Sequence, residues 1–330
     1  MARILKGQRQ DTVTWEDVKR AESRLAGRVG PSPLVSIEFL NMLAGRTVWI
    51  KAESLLPTGA FKLRGAYNKI ASLTEQYGRA DVITASSGNH ALGVSFASQA
   101  LGRRAVVYIP TVTPEAKKDN CRKLGATVVE VGEIYDEAYA AAGAACAEGD
   151  SYYVHPVADT DVVAGQGTIA VEIAEQLPDV QQLVVPLGGG GLVSGIAFAA
   201  KAIDARIRVV AVQAEGSPLF KRCIDAGELV ELETVDTIAD GMACKRAEPF
   251  LYEMVQRFVD EVVVVPERMI RYAMQVAAQH AKLVLEGAGA SALGAVLNGQ
   301  IKQHLNTVVI ASGGNVDMTR FLAVLQEEFS

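Results

Sequence analysis

The chain has 330 residues, 49% of them hydrophobic and 21% charged, with a net charge of −6. That length can bury a large core divided between roughly two domains. An acidic chain with only 6% aromatic residues offers neither the basic face nor the stacking platforms that nucleic acids need, so no nucleic acid partner is expected. No apolar stretch is long and uninterrupted enough to span a bilayer, and the charged opening Met1–Asp11 lacks a secretory signal. Cys121, Cys146, Cys223 and Cys244 form no Cys-x-x-Cys pair and read as thiols of a reducing compartment, which predicts a cytoplasmic protein.

In chain order, the pattern predicts a strand at Thr47–Lys51, a helix at Phe61–Leu73, a strand at Asp81–Ala85 and a helix at His90–Leu101. A strand at Arg104–Ile109, a helix at Pro114–Lys123, a strand at Thr127–Val131 and helices at Ile134–Glu148 and Gly167–Gln176 follow. The second half continues with a strand at Gln182–Val185, a helix at Leu192–Ala202 and strands at Val209–Gln213 and Glu261–Val265. Helices at Pro266–Ala281 and Ala290–Asn298 and a strand at Thr307–Ala311 complete the series. Apolar β-branched strands alternating with helices imply an α/β fold of mostly parallel sheets covered on both faces. In such sheets ligands bind beyond the carboxyl ends of the strands, on loops that enter helices.

Lys62 is the first candidate, in Pro57-Thr58-Gly59-Ala60-Phe61-Lys62-Leu63-Arg64-Gly65-Ala66. An aromatic neighbour and a second cation, Arg64, would both lower a lysine pKa and make the amine a nucleophile or Schiff-base partner. The plainer alternative is a solvated lysine opening a helix. Three glycine-rich strand-to-helix joints bear on the choice. Thr84-Ala85-Ser86-Ser87-Gly88-Asn89-His90 combines hydroxyls, an amide and helix-start N–H groups in a cradle suited to a carboxylate, more than a simple cap requires. Gly188-Gly189-Gly190-Gly191 suits a phosphate monoester. A dinucleotide loop is its rival, with Glu215 near the position of a ribose-binding acid, but no register of Gly188–Gly195 supplies Gly-x-Gly-x-x-Gly. Ser312-Gly313-Gly314-Asn315 fits a tight turn as well as a ligand contact.

A reactive lysine, a phosphate cradle and a carboxylate cradle together form the equipment for pyridoxal 5′-phosphate acting on an amino acid. Ser-Gly-Asn-His at 87–90, Ala-Gly-Gln-Gly-Thr at 164–168, the four glycines and Ser-Gly-Gly-Asn at 312–315 stand in one order along the chain. With those motifs the chain resembles the fold type II pyridoxal-phosphate enzymes, in the threonine/serine dehydratase and serine racemase branch. The resemblance extends from about Ala21 to Gln326, and the chain resembles the short form that lacks a regulatory domain. It implies two open, twisted, mostly parallel sheets with helices on both faces and an active site between two domains. A large domain would comprise 1–50 and 151–330, and a small domain 51–150.

By the same resemblance Lys62 would carry the Schiff-base linkage, Phe61 would pack on the cofactor ring, and Asn89 would bond its 3′-hydroxyl. Gly188, Gly189, Gly190 and Gly191 would hold the phosphate, and Ser312 would face the pyridine nitrogen. Ser86, Ser87, Asn89 and His90 would hold the substrate carboxylate, with Ser87 able to act as acid/base opposite Lys62. A neutral hydroxyl at the ring nitrogen does not keep that nitrogen protonated, so loss of a β-leaving group is favoured as the fate of the carbanion. The implied activity is elimination of water from L-threonine or L-serine to a 2-oxo acid and ammonia, in a homodimer. A serine or aspartate racemase, a 3-hydroxyaspartate-type dehydratase and a dehydratase for a modified β-hydroxy amino acid are the alternatives.

Some residues depart from the family pattern. Ala60 stands where the family usually has serine, Leu92 follows Ala91 where glutamine is common, and His155–Asp159 lacks a polar residue after the proline. Glu215 matches the first acid of the racemase-type metal site, but Lys221 replaces the second, so no metal is expected. His155, His280 and His304 read as packing or surface residues. Glu286 matches a family acid near the cofactor or, equally, a helix-start charge. A dinucleotide-dependent oxidoreductase or a non-catalytic small-molecule binder is the reading from outside the family.

Overall fold

A computed structural model of the chain describes residues 5–78, 81–301 and 305–329; His304 lies outside them. The helices are α1 (Trp15–Leu25), α2 (Glu38–Ala44), α3 (Lys62–Tyr77), α4 (Asn89–Ala100), α5 (Glu115–Lys123), α6 (Tyr135–Glu148) and α7 (Thr160–Gln176). They continue with α8 (Gly191–Ile203), α9 (Leu219–Ala226), α10 (Pro249–Phe258), α11 (Glu267–Val276), α12 (Gly287–Leu297) and α13 (Met318–Leu325). The strands are β1 (Leu34–Ser36), β2 (Val48–Lys51), β3 (Val82–Ala85), β4 (Ala105–Ile109) and β5 (Thr127–Glu130). After them come β6 (Tyr152–Tyr153), β7 (Gln182–Pro186), β8 (Arg208–Ala214), β9 (Glu261–Val265) and β10 (Thr307–Ile310). Every predicted strand is present within a residue or two. The strands the pattern misses, β1 and β6, have three and two residues, too short for period-two alternation to register. Among the described residues no helix is long and apolar enough to cross a membrane.

The chain divides into two compact units, one of Met1–Gly30 with Lys62–Thr168, the other of Pro31–Phe61 with Ile169–Ser330. The boundaries therefore lie at 30, 61 and 168, whereas the sequence suggests 50 and 150. The difference has specific causes. Gln8 Nε2 donates to the Ala158 carbonyl at 2.7 Å, and the Arg9 N–H to Asp159 Oδ2 at 2.9 Å, which ties the N-terminal segment and 158–161 into one unit. Strand β2 pairs in parallel with β10, which commits the segment just before Lys62 to the other unit.

The first unit is built on a parallel sheet in the order β5-β4-β3-β6. From β3 the chain winds outward to β4 and β5, then returns to place β6 on the far side of β3. Such a reversal, here at the carboxyl ends of β3 and β6, is where open parallel sheets bind ligands. Helix α3 contacts α1 and α4 and is buried continuously from Leu63 to Ala71. A buried ion cluster locks this region, with Lys69 Nζ 2.9 Å from Asp159 and 3.1 Å from Asp161, and Arg9 3.0 Å from Asp161.

The second unit carries a sheet in the order β1-β2-β10-β7-β8-β9, parallel except for the edge pair β1–β2. Its central strands β7 and β10 are buried along their full length, as parallel strands covered on both faces must be. Winding proceeds from β7 to β8 and β9, and β10 then enters on the other side of β7. A second reversal therefore lies between the carboxyl ends of β7 and β10. Helix α12 packs across β7, β8, β9 and β10, and its opening glycines let other backbone come close: a methyl on Gly287 would stand 2.6 Å from the Ile238 carbonyl, and one on Gly289 would meet the Gly313 carbonyl.

Removing the buried cation of this cluster would leave Asp159 and Asp161 in the interior with only the half-buried Arg9 to offset them. Lys69→Met should lower the unfolding free energy by about 3 kcal/mol, measured by urea denaturation at neutral pH.

Candidate active site

Both strand-order reversals hold predicted site residues. In the first unit, Lys62 opens α3 and its Nζ donates to the Pro156 carbonyl at 2.7 Å, just beyond β6. Helix α4, leaving β3, crosses α3 at Gly93, where a methyl group would stand 3.2 Å from the Lys62 carbonyl. That close approach puts the first turn of α4 beside the lysine. Gly88 is its N-cap and has no side chain to offer, so the helix start keeps N–H groups for an anion. Ser86 Oγ accepts the Gly88 N–H at 3.2 Å and shapes the turn, while Ser87 and Asn89 are half-buried beside it.

The His90 side chain is turned to the interior. Its ring is buried, Nε2 donates to the Val154 carbonyl at 3.0 Å, and Nδ1 has no partner. With the proton on Nε2, Nδ1 is an acceptor and the ring has nothing to offer a carboxylate. What His90 presents is its backbone N–H in the first turn of α4. His155, which the sequence places among packing residues, is a neighbour of the lysine instead: its Nδ1 accepts the N–H groups of Val157 and Ala158, which follow directly on the carbonyl that Lys62 contacts. Both histidines are held neutral, with pKa values of about 3, first by burial and then by the positive charge of Lys62.

Arg64 does not stand where the sequence suggests. Residues two apart on a helix are turned about 200° from each other. Arg64 is accordingly fully buried and bonds Thr168 Oγ1 at 3.2 Å. Gln166, in the 164–168 motif, packs on Gly65 with its Oε1 buried and unpartnered.

In the second unit, the four glycines join β7 to α8. Gly190 is the N-cap, at φ 94° in the left-handed region, and no side chain caps the helix. The Ser194 hydroxyl, on the fourth residue of α8, is buried and unpartnered. Residues 241–242, which no sequence motif marks, close over this loop: a methyl on Gly188 would stand 2.8 Å from the Gly241 carbonyl. The loop after β10 lies beside it in the same sheet. There the Phe61 N–H donates to the Ser312 carbonyl at 3.0 Å and the Gly314 N–H to the Gly59 carbonyl at 2.9 Å, so 59–61 runs antiparallel to 312–314. Ser312 is buried, and the Glu286 carboxyl lies against Gly313. Glu286 thus faces this loop, although it also occupies the N-cap of α12. Glu215 is exposed, and Lys221 pairs with Asp225.

This constellation defines a class. Residues 25–313 match the family model described as pyridoxal-phosphate dependent enzyme, and the chain belongs to that family. Its cofactor is pyridoxal phosphate, and the chain is a lyase of the dehydratase type. Similar proteins include the L-threonine ammonia-lyase of Thermotoga maritima, 41% identical over 93% of this chain and 76% of that protein. The catabolic L-threonine dehydratase TdcB of Escherichia coli is 38% identical over 93% of this chain and 94% of that protein. Among solved structures, maize serine racemase matches with a TM-score of 0.90 at 31% identity, covering 95% of this chain and 97% of that one. The processed form of threonine deaminase isoform 2 from Solanum lycopersicum matches with a TM-score of 0.87 at 32% identity, covering 98% of this chain and 93% of that one.

The residues present suit the cofactor. An uncapped α8 start after four glycines suits its phosphate, and a lysine amine hydrogen-bonded to a carbonyl oxygen suits its aldehyde.

The histidines carry a pH signature. Their folded pKa values lie below the unfolded value, so unfolding takes up protons once pH falls below about 6.5. Stability should be full above that pH and fall toward pH 3, by up to about 1.4 kcal/mol per pH unit for each ring. Denaturation between pH 7 and 5 tests this, with His90→Asn or His155→Asn expected to flatten the slope.

Proposed function

We propose that the chain eliminates water from a β-hydroxy amino acid, L-threonine or L-serine, yielding a 2-oxo acid and ammonia. The observation that carries this reading is the Lys62 amine, held at the Pro156 carbonyl beside the uncapped start of α4. An amine and an anion cradle side by side suit a substrate with both an amino group and a carboxylate. The activities named for the threonine ammonia-lyase and dehydratase relatives support the same class of substrate.

Pyridoxal phosphate, when bound, supplies the electron sink that lets a Cα proton be lost. Lys62 would bind it, and its amine, once released by substrate, would take that proton. Gly188–Gly191 would hold the phosphate at the start of α8, Phe61 would pack on the ring, and Asn89 would bond the ring hydroxyl. Ser86, Ser87 and the N–H groups of Asn89 and His90 would bind the substrate carboxylate. Ser312 would offer the ring nitrogen a neutral hydroxyl, which favours departure of the β-hydroxyl as water. That water is regained when the released enamine hydrolyses, so the balance is amino acid to 2-oxo acid plus ammonia.

Racemisation is the second reading. Ser87, half-buried in the turn that leads into α4, could exchange the proton from the opposite face, and the match to maize serine racemase supports it. We also propose a cytoplasmic homodimer. The four cysteines, all outside disulfides, support a reducing compartment, and Phe39, Met42 and Leu43 on α2, exposed to 43%, 70% and 41%, support a self-association surface.

The purified enzyme should be yellow, its visible band should change on adding L-threonine or L-serine, and 2-oxo acid should accumulate. Lys62→Ala should lose both the band and turnover by a factor of at least about 10³. Conversion to the D-isomer without 2-oxo acid would select the racemase reading, and full activity in Lys62→Ala would refute both.

A further inference from the structure

The contact between Lys62 and Pro156 depends on the side chain of a third residue. The Pro156 C=O and the Val157 N–H are the two ends of one planar peptide unit and point in opposite directions. At one end the carbonyl accepts from Lys62 Nζ at 2.7 Å; at the other the N–H donates to His155 Nδ1 at 3.2 Å. The next N–H, of Ala158, donates to the same nitrogen at 2.8 Å. Proline has a fixed φ and no N–H of its own, so the plane of this peptide is set by what grips its far side. The imidazole is itself braced, with Tyr153 and Tyr139 at ring-centroid distances of 6.1 and 6.2 Å. The Ala158 carbonyl accepts from Gln8 Nε2 at 2.7 Å, which anchors the turn beyond it.

We propose that His155 is a positioning residue for the reactive amine: by gripping the 157 and 158 N–H groups it aims the Pro156 carbonyl at Lys62. The inference rests on the reading of Lys62 as the residue that binds the cofactor. It makes a stereochemical demand on position 155. The side chain must carry an acceptor at the place of Nδ1, and neither charge nor ring is required. Asparagine puts Oδ1 there, glutamine carries its amide one bond too far, and phenylalanine fills the volume with no acceptor.

The test is the rate at which Lys62 captures its cofactor. Full-length protein stripped of cofactor, with its fold checked by circular dichroism, is mixed with pyridoxal phosphate. Samples are trapped with borohydride at intervals, and label on the Lys62 peptide is quantified by mass spectrometry. His155→Asn should match the unaltered chain within about twofold, whereas His155→Phe and His155→Gln should be about fivefold to tenfold slower, the effect of losing the acceptor that orients the peptide. A folded His155→Phe at the unaltered rate, or a folded His155→Asn as slow as His155→Gln, would overturn the proposal. If His155→Phe does not fold, the comparison of Asn with Gln decides alone. Label missing from Lys62 in the unaltered chain would instead refute the functional reading beneath it.

Discussion

The reversal of strand order within each parallel sheet is the constraint on which the rest of this structure depends. Where neighbouring strands send their connections to opposite faces, no helix covers their carboxyl ends, and a crevice is left. In the first unit the reversal lies between β3 and β6, and Lys62, the Ser86–His90 turn and the Pro156 carbonyl come together on the loops beyond those strands. In the second it lies between β7 and β10, and it gathers the four glycines and the Ser312 loop. Helix starts at these places leave N–H groups without a side-chain cap, an arrangement suited to anions before any side chain is chosen.

Electrostatics then selects what can surround the lysine. The Pro156 carbonyl orients the Lys62 amine, and the charge of that amine acts on the groups around it. The nearby rings of His90 and His155 fit that scheme, because burial beside a cation keeps both neutral. Neutrality also fixes their hydrogen-bonding roles. Each ring keeps Nδ1 only as an acceptor, which removes the His90 side chain from carboxylate binding and turns His155 into a clamp on its own loop.

Such a loop needs a rigid foundation, and the buried ions supply one. Lys69, Asp159, Asp161 and Arg9 join the residues after the Pro156 turn to α3 and to the N-terminal segment. Helix α3 also carries Lys62, so one helix holds the amine while Lys69, two turns further on, anchors the segment that supplies the amine's partner. Isolated buried ion pairs add little stability, but a network with matched hydrogen bonds can fix one geometry among several.

The sequence by itself determined the alternation of strands and helices and the family, and it singled out the lysine and the glycine loops as candidates. Those features are local: apolar periodicity, turn-forming glycines and short ordered motifs are written in consecutive residues. Tertiary structure alone decided which residues meet across long separations. The Pro156 carbonyl lies 94 positions from Lys62, and a backbone acceptor has no sequence signature at all. His155 looked inert because its function lies in a hydrogen bond to its own chain, and Arg64 looked close to Lys62 because helical rotation is invisible in a linear motif. The unit boundaries moved for the same reason, since the contacts of Gln8 and Arg9 with 158–161 span about half the chain. Local chemistry is legible in order; the partners that orient it exist only once the chain has folded.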